Sequence, residues 1–320
     1  MPPPPRDRGE AEEGPPRLPR RSGSGGDGGH SRAHPVGGGI RFADTAGMDP
    51  GNGEVERLLA AVAAGTVTPQ EAAGILAVQP YRDLGFARVD VHRELRQGAP
   101  EAVLADGKTP AQVAQIACAL HDAGAGSVLV TRADAAARAA VCAALPDAIE
   151  DEVARAVWVA RDVPEVVGVV TMVSAGTSDG PVLHEARIRA ELLGTEVRVH
   201  EDAGVAGIHR LSPALPDLRA ADCVVVVAGM DGALASVVAG LVAAPVIGVP
   251  TSVGYGSARE GQTALNAMLA SCAAGLAVVG IDDGFGAGTV AAAIARASGR
   301  RREERPADRG PIETTEEPPA

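Results

Sequence analysis

The stretch CVVVVAGMDG, residues 223–232, decides the fold. Its unbroken apolar run ends directly at Gly229, which is typical of a strand buried on both faces of a parallel sheet. A second such strand leads into PVIGVPTSVGYG, residues 245–256. Neighbouring parallel strands end at the same edge of a sheet, and ligands bind in the crevice outside that edge. These two glycine-bearing strand ends therefore predict a ligand site.

Strands and helices alternate strictly from about residue 163 onward. We predict strands at 166–173, 196–200, 223–228, 246–249 and 276–281. We predict helices at 182–193, 212–220, 234–242, 262–270 and 287–297. This order predicts a three-layer, doubly wound α/β domain over residues 163–299, with a parallel sheet covered by helices on both faces.

The elements between residues 51 and 162 are shorter and mixed. A capping box at Thr68-Pro69-Gln70-Glu71 predicts a helix start, and a linker is expected near Pro164. We interpret this region as a smaller N-terminal α+β domain. Residues 1–50 and 300–320 are rich in Pro, Gly or charge without periodicity, so both segments are predicted to be disordered tails.

Charge and cysteine content narrow the class of protein. The net charge is −12, and nucleic-acid binding requires basic patches, so no nucleic-acid partner is expected. The sequence has no apolar signal segment and no uninterrupted apolar run of roughly 18 residues, so we expect a soluble, cytoplasmic protein without membrane contact. The four cysteines form no C-x-x-C pair, which predicts reduced thiols.

Lys108 is the single lysine among 29 basic residues. It follows a turn at Asp106-Gly107, where an ammonium could meet a ligand phosphate or carboxylate. A solvated loop charge is the alternative interpretation, and the residues alone do not separate the two.

A hydroxyl-rich loop follows the first strand of the C-terminal domain. It comprises Ser174, Ala175, Gly176, Thr177, Ser178, Asp179 and Gly180, and a helix starts at Pro181. Backbone N–H groups at a helix N-terminus suit a phosphate, although the spacing matches neither dinucleotide nor nucleotide-triphosphate loops. Ordinary N-capping by Ser178 or Asp179 is the alternative, and it explains the whole cluster less well.

Several segments carry a family resemblance. The loop 174–179, GMDGAL (229–234) and PVIGVP (245–250) resemble the aminoimidazole ribonucleotide carboxylase fold. Longer segments resemble one branch of it, the pyridinium-3,5-biscarboxylic acid mononucleotide synthases. They are GVAGIHRL (204–211), PTSVGYG (250–256), SCA (271–273) and IDDGFGAG (281–288). In the first domain, the similar segments are DVHR (90–93), RQGAPE (96–101) and GKT (107–109).

The resemblance implies an activity and its partners. The substrate would be nicotinic acid adenine dinucleotide, carboxylated on its pyridinium ring by CO2 or bicarbonate and hydrolysed at its phosphoanhydride to release AMP. It implies a homo-octamer and a place in nickel-pincer cofactor biosynthesis for lactate racemase maturation, ahead of sulfur-insertion and nickel-insertion enzymes. Phosphoanhydride hydrolysis generally benefits from Mg²⁺, for which the sequence does not fix the ligands.

The resemblance also implies catalytic roles. Cys272, at the opening of the last strand, would be the nucleophile that adds to the ring. A small apolar core residue is the alternative for any free cysteine, and we assign that role to the other three. Asp231 would be the base for the ring proton, where many relatives carry Glu; capping of the next helix is its alternative.

The remaining site predictions concern substrate binding. Ser178 and Asp179 are assigned to phosphate or ribose, and the His209-Arg210 pair to phosphate charge or to the pyridine carboxylate. The other predicted binding residues are Ser174, Gly176, Thr177, Gly229, Met230, Ser252 and Lys108. His184 and Glu185 occupy positions where relatives are often acidic, with a solvated helix face as the alternative.

Two other functions stay open at this point. One is a carboxylase or mutase that acts on aminoimidazole ribonucleotide in purine synthesis. That chemistry needs neither a cysteine nor this kind of first domain. The other is a non-catalytic nucleotide-binding module. Thiol alkylation separates that module from an enzyme, because a binding protein has no CO2-dependent turnover to lose.

Overall fold

The computed structural model describes residues 52–78 and 81–303. All of these residues belong to one compact unit. The predicted tail 1–50 lies outside the described residues, as does the segment 304–320 of the second predicted tail. None of the helices in the described part of the chain is long and apolar enough to cross a membrane.

The helices and strands are numbered in chain order. The helices are α1 (Asn52–Ala63), α2 (Pro69–Val78), α3 (Arg93–Gln97), α4 (Pro110–Asp122), α5 (Ala135–Ala144), α6 (Gly180–Leu192), α7 (Leu215–Ala220), α8 (Ala233–Ala239), α9 (Gln262–Leu269) and α10 (Gly284–Glu303). The strands are β1 (Tyr81–Asp83), β2 (Arg88–Asp90), β3 (Ala102–Leu104), β4 (Ser127–Thr131), β5 (Ile149–Asp151), β6 (Ala156–Ala160), β7 (Val169–Ser174), β8 (Glu196–His200), β9 (Cys223–Ala228), β10 (Val246–Pro250) and β11 (Leu276–Val278).

The C-terminal domain is a parallel sheet in the order β11-β10-β9-β7-β8. Every residue of the central strand β9 is buried, because its apolar side chains project alternately into the cores on the two faces of the sheet. Helices α6 and α10 cover one face with alanine-rich surfaces. Helices α7, α8 and α9 cover the other face. The predicted three-layer, doubly wound α/β fold is therefore confirmed.

The N-terminal domain holds a second sheet, in the order β3-β4-β6-β5, of which β3 and β4 are parallel and the others antiparallel. Helices α4 and α5 pack on one face. On the other face, Leu129 and Ala156 pack against Ile188 and Leu192 of α6. The two sheets thus share α6 as a common layer. A separate antiparallel pair, β1-β2, precedes this sheet.

Some boundaries differ from the sequence predictions. The helix predicted at 212–220 starts at Leu215, after a 3₁₀ segment from Val205 to Ala214 that contains Pro213. Helix α10 ends at Glu303, so the predicted boundary at residue 299 falls inside a helix.

Candidate functional site

The carboxyl edge of the C-terminal sheet brings four loops together. Strands β7, β8, β9 and β10 are parallel, so the segments that follow them, 174–179, 201–210, 229–231 and 251–255, lie at one edge. The loops contain Ser174, Gly176, Thr177, Ser178, Asp179, His209, Arg210, Gly229, Met230, Asp231 and Ser252. Ten of the predicted binding residues, together with Asp231, therefore lie in adjacent loops at one edge of the sheet.

Asp179 connects three of these loops. Its Oδ2 accepts a hydrogen bond from Gly176 N at 2.9 Å, and its Oδ1 accepts one from Thr251 Oγ1 at 2.7 Å. The backbone N–H of Gly229 is a further donor to this carboxylate. Burial raises the pKa of Asp179, and these hydrogen bonds oppose the shift. Asp179 therefore organises the loop backbones, and Thr251 is a site residue that sequence analysis missed.

The loop after β8 is fixed to the loop after β7. Ser174 is buried, and its Oγ accepts from Asp202 N at 3.3 Å. Arg210 Nη1 donates to Asp202 Oδ1 at 2.7 Å, which holds the guanidinium beside the same edge. His209, Thr177 and Ser178 are exposed. This part of the edge therefore presents a cation, an imidazole and hydroxyl groups toward solvent.

Three of the seven non-glycine residues with positive φ in the described part of the chain follow strands of the C-terminal sheet. Asp202, Met230 and Asp282 have φ values of 54°, 54° and 58°, in the segments after β8, β9 and β11. Such conformations in non-glycine residues cluster at functional sites. Gly229 is required for a different reason: a Cβ there would lie 2.3 Å from the carbonyl oxygen of Val253. The loop after β9 is therefore in close contact with the loop after β10.

Asp231 is exposed and lies directly before Gly232, the N-cap residue of α8. Its Oδ1 accepts a hydrogen bond from the N–H of Ala233, the first residue of α8, at 3.2 Å, a contact that supports the alternative of a role at the helix start. The base role of Asp231 stays a prediction.

Cys272 lies at the opposite end of the sheet from these loops. It belongs to the connection between α9 and β11, and Gly275 O of that connection accepts from Val246 N at the start of β10. The site loop begins after Pro250, roughly 13 Å along the same strand at about 3.3 Å per residue. The expectation that this thiol reaches the crevice of its own chain is therefore wrong. In a β-α-β unit, the connection entering a strand lies at the amino edge.

Cys272 is nevertheless the accessible thiol. Of the four cysteines, all within the described residues, Cys272 is exposed, Cys118 and Cys142 are half-buried and Cys223 is buried. Burial raises the pKa of Cys223 to about 12 and also raises the pKa values of Cys118 and Cys142. A thiolate is the nucleophilic form, so these three are poor candidates.

Lys108 makes a local contact. Its Nζ donates to Leu104 O at 2.8 Å, within the turn that follows β3, and the side chain is exposed. This contact fits the loop-charge interpretation, and the substrate contact of Lys108 stays a prediction.

Glu185 does not fit the alternative of a solvated helix face, because it is buried. Its side chain is 5% exposed, and its nearest cation is Arg132 of the N-terminal domain, with Nε 3.8 Å from Oε1. Burial raises the pKa of Glu185 from 4.5 to about 7, while the charge of Arg132 opposes the shift. Among the described residues, Oε1 has no hydrogen-bond partner. His184 behaves differently, pairing with Glu201 near the surface.

Glu185 should make stability depend on pH. Between pH 4.5 and about 7 the native state binds a proton that the unfolded chain has lost, so the free energy of unfolding falls as pH rises through this window. Glu185→Gln should remove a decrease of about 3 kcal/mol between pH 5 and pH 8, measured by urea unfolding. Glu191→Gln, at a half-buried position of the same helix, is the control. Equal pH profiles for wild type and Glu185→Gln would contradict the assignment.

The described residues contain no group of three His, Cys, Asp or Glu side chains arranged to hold a metal ion. Both oxygens of Asp179 already accept protein hydrogen bonds, which leaves little capacity for a cation. These residues of one chain do not fit a preformed Mg²⁺ site. The Mg²⁺ requirement stays a prediction.

Comparisons with known proteins agree with this architecture. Residues 81–161 match the family described as the LarB/PurE-like N-terminal domain, and residues 167–308 match AIR carboxylase. An uncharacterized protein of Methanocaldococcus jannaschii is 39% identical over 224 residues, covering 65% of this chain and 84% of that protein. The crystal structure of a PurE2 variant from Treponema denticola covers 42% of this chain and 90% of its own, with 19% identity and a TM-score of 0.32.

The fold, the carboxyl-edge loops and the two family matches define a carboxylase-type enzyme of the AIR carboxylase fold. The N-terminal domain narrows the class further. The chain belongs to the pyridinium-3,5-biscarboxylic acid mononucleotide synthase family.

Proposed function

We propose that this protein carboxylates the pyridinium ring of nicotinic acid adenine dinucleotide with CO2 and hydrolyses its phosphoanhydride, giving pyridinium-3,5-biscarboxylic acid mononucleotide and AMP. The observation that carries the proposal is the joining of this N-terminal domain to an AIR carboxylase domain whose accessible thiol is Cys272. Aminoimidazole ribonucleotide carboxylation would leave both features without a role.

The chemistry follows from the electron-poor ring. The Cys272 thiolate forms a bond to the carbon para to the ring nitrogen, and the displaced electron pair makes an enamine. The enamine carbon at position 5 then bonds to CO2. A base takes the proton from that carbon, and expulsion of the thiolate restores the aromatic pyridinium. Hydrolysis adds water across the phosphoanhydride, so AMP and the mononucleotide separate.

The thiol and the edge loops that act on one ring must belong to different copies of the chain. Cys272 and Asp179 of one chain lie at opposite ends of the sheet. Leu269 is 65% exposed beside Cys272, and Tyr255 is 80% exposed in the loop after β10. The proposed homo-octamer would bring these two places of neighbouring copies together.

Asp231→Asn separates the two roles of this residue. Asparagine keeps the oxygen that caps α8 but cannot accept the ring proton, so carboxylation should fall by roughly 100-fold or more while substrate affinity stays within a few-fold. Asp231→Glu should retain activity. Carboxylation rates and substrate titrations check both variants. An active Asp231→Asn enzyme would rule out Asp231 as the base and leave it only the hydrogen bond to Ala233 at the start of α8.

The function is tested by release of AMP from nicotinic acid adenine dinucleotide with and without bicarbonate, followed by chromatography. We expect bicarbonate-dependent turnover that iodoacetamide abolishes. A non-catalytic binding module would bind the dinucleotide equally well before and after alkylation and release no AMP. Turnover of aminoimidazole ribonucleotide instead would support the purine-pathway alternative.

A further inference from the structure

One edge of the N-terminal sheet adjoins the candidate site. Strands β3 and β4 end at this edge, and β6 begins there, because Val130 of β4 pairs antiparallel with Val157 of β6. The turn between β5 and β6 extends to the start of α6: a Cβ at Gly180 would lie 3.7 Å from Val153 Cγ1. Gly180 directly follows Asp179, so the N-terminal domain borders the loop after β7.

The side chain of Arg132 extends from this edge and contacts the C-terminal domain. It is the residue after β4, and its Nη2 donates to the carbonyl oxygen of Asp282 at 2.5 Å. Its Nε faces Glu185 Oε1, and its own carbonyl accepts from Arg155 Nη2 at 3.3 Å. The guanidinium is thus held between a buried carboxylate and a backbone carbonyl, although it is 36% exposed.

Asp282 in turn fixes the loop after β10. Its backbone N–H donates to Pro250 O at 2.8 Å, and its Oδ1 accepts from Ser252 N at 2.8 Å. Thr251, between these two residues, donates to Asp179. A continuous set of hydrogen bonds therefore runs from Arg132 through Asp282 to the loop that Asp179 organises.

We propose that Arg132 is a positioning residue for the candidate site, by which the N-terminal domain holds the 281–283 turn and, through it, the loop after β10. The inference rests on the proposed function for its kinetic consequence, but the loop-holding role itself does not. Through Arg132, the N-terminal domain would position a loop of a site whose residues belong to the C-terminal domain. Glu185 lies against the same guanidinium, with Oε1 3.8 Å from Nε of Arg132.

The test compares Arg132→Ala with Arg187→Ala in the full chain. Arg187 also joins the two domains, with its Nη2 2.9 Å from Asp151 Oδ2, and its other side-chain hydrogen bonds go to His184 and Glu191 of its own helix. Without substrate, hydrogen–deuterium exchange of the peptide 251–256 should be at least about fivefold faster in Arg132→Ala and unchanged in Arg187→Ala. Unchanged exchange in Arg132→Ala, or equal acceleration in both variants, would overturn the proposal whatever the enzyme's substrate.

Kinetics supply the second readout. In Arg132→Ala, kcat/KM for the dinucleotide should fall roughly 10- to 100-fold, and added guanidinium ion should restore part of it. Arg187→Ala should stay within about twofold of wild type and show no such rescue. If wild type itself has no turnover, the proposed function fails while the exchange result still decides the role of Arg132.

Discussion

Cys272→Ser is expected to lower carboxylation of nicotinic acid adenine dinucleotide by at least about 1000-fold, because a serine hydroxyl at neutral pH is a far weaker nucleophile than a thiolate. Wild-type protein mixed with substrate should show a transient mass increase equal to a pyridine nucleotide, and the variant should show none. Cys142→Ala, at a half-buried free cysteine, should keep the adduct. A fully active Cys272→Ala enzyme would eliminate covalent catalysis.

The position of Cys272 at the amino edge allows a sharper version of this experiment. Coexpressed Cys272→Ser and Asp231→Asn chains should recover about a quarter of wild-type activity, since each site then draws its thiol and its carboxylate at random from two chain types. Each variant alone should be inactive. Mixed assemblies without recovered activity would mean that both groups come from one chain, against the geometry of the sheet.

Asp179→Asn has the second largest expected effect. The side chain of asparagine has one oxygen and one NH₂ group, so it can accept only one of the hydrogen bonds that Asp179 accepts from Gly176 N–H and from the Thr251 hydroxyl. The donor that loses its acceptor should lower the free energy of unfolding by about 1–3 kcal/mol. Because three loops meet at this carboxylate, kcat/KM should fall more than roughly 100-fold. Urea unfolding and carboxylation rates measure the two effects.

Thr251 offers the matched control for this prediction. Thr251→Ser keeps the hydroxyl donor to Asp179 and should retain activity, while Thr251→Val removes it at constant shape and should not. An Asp179→Asn protein with wild-type stability and activity would show that the loops keep their arrangement without the carboxylate.

Local pattern was enough to predict most of the C-terminal domain. Strands β8 and β9 begin and end at the predicted residues. The apolar run of β9 is bounded by Asp222 and Gly229, and the alternating segment EVRVH of β8 is bounded by Thr195 and Glu201. The sequence pattern did not predict strands β5 and β6. Strand β5 has only three residues, and β6 is a run of five residues whose side chains range in size from Ala to Trp. Their pairing depends on β4, far away in the chain, rather than on local periodicity.

The site was predicted in part for the same reason. Residues that directly follow strands could be assigned to the carboxyl edge, and Thr251 could have been included by that rule. The placement of Cys272 could also have been predicted, because it precedes a strand. The contact of Arg132 with Asp282 joins residues 150 positions apart in different domains, and no local signal indicates it.

The proposed carboxylation is tested most directly by mass spectrometry of the small-molecule products after incubation with nicotinic acid adenine dinucleotide and ¹³C-labelled bicarbonate. We expect AMP together with a pyridinium mononucleotide that has gained one carboxyl group carrying the label. Unchanged dinucleotide, or AMP accompanied by an unlabelled nicotinic acid mononucleotide, would contradict it.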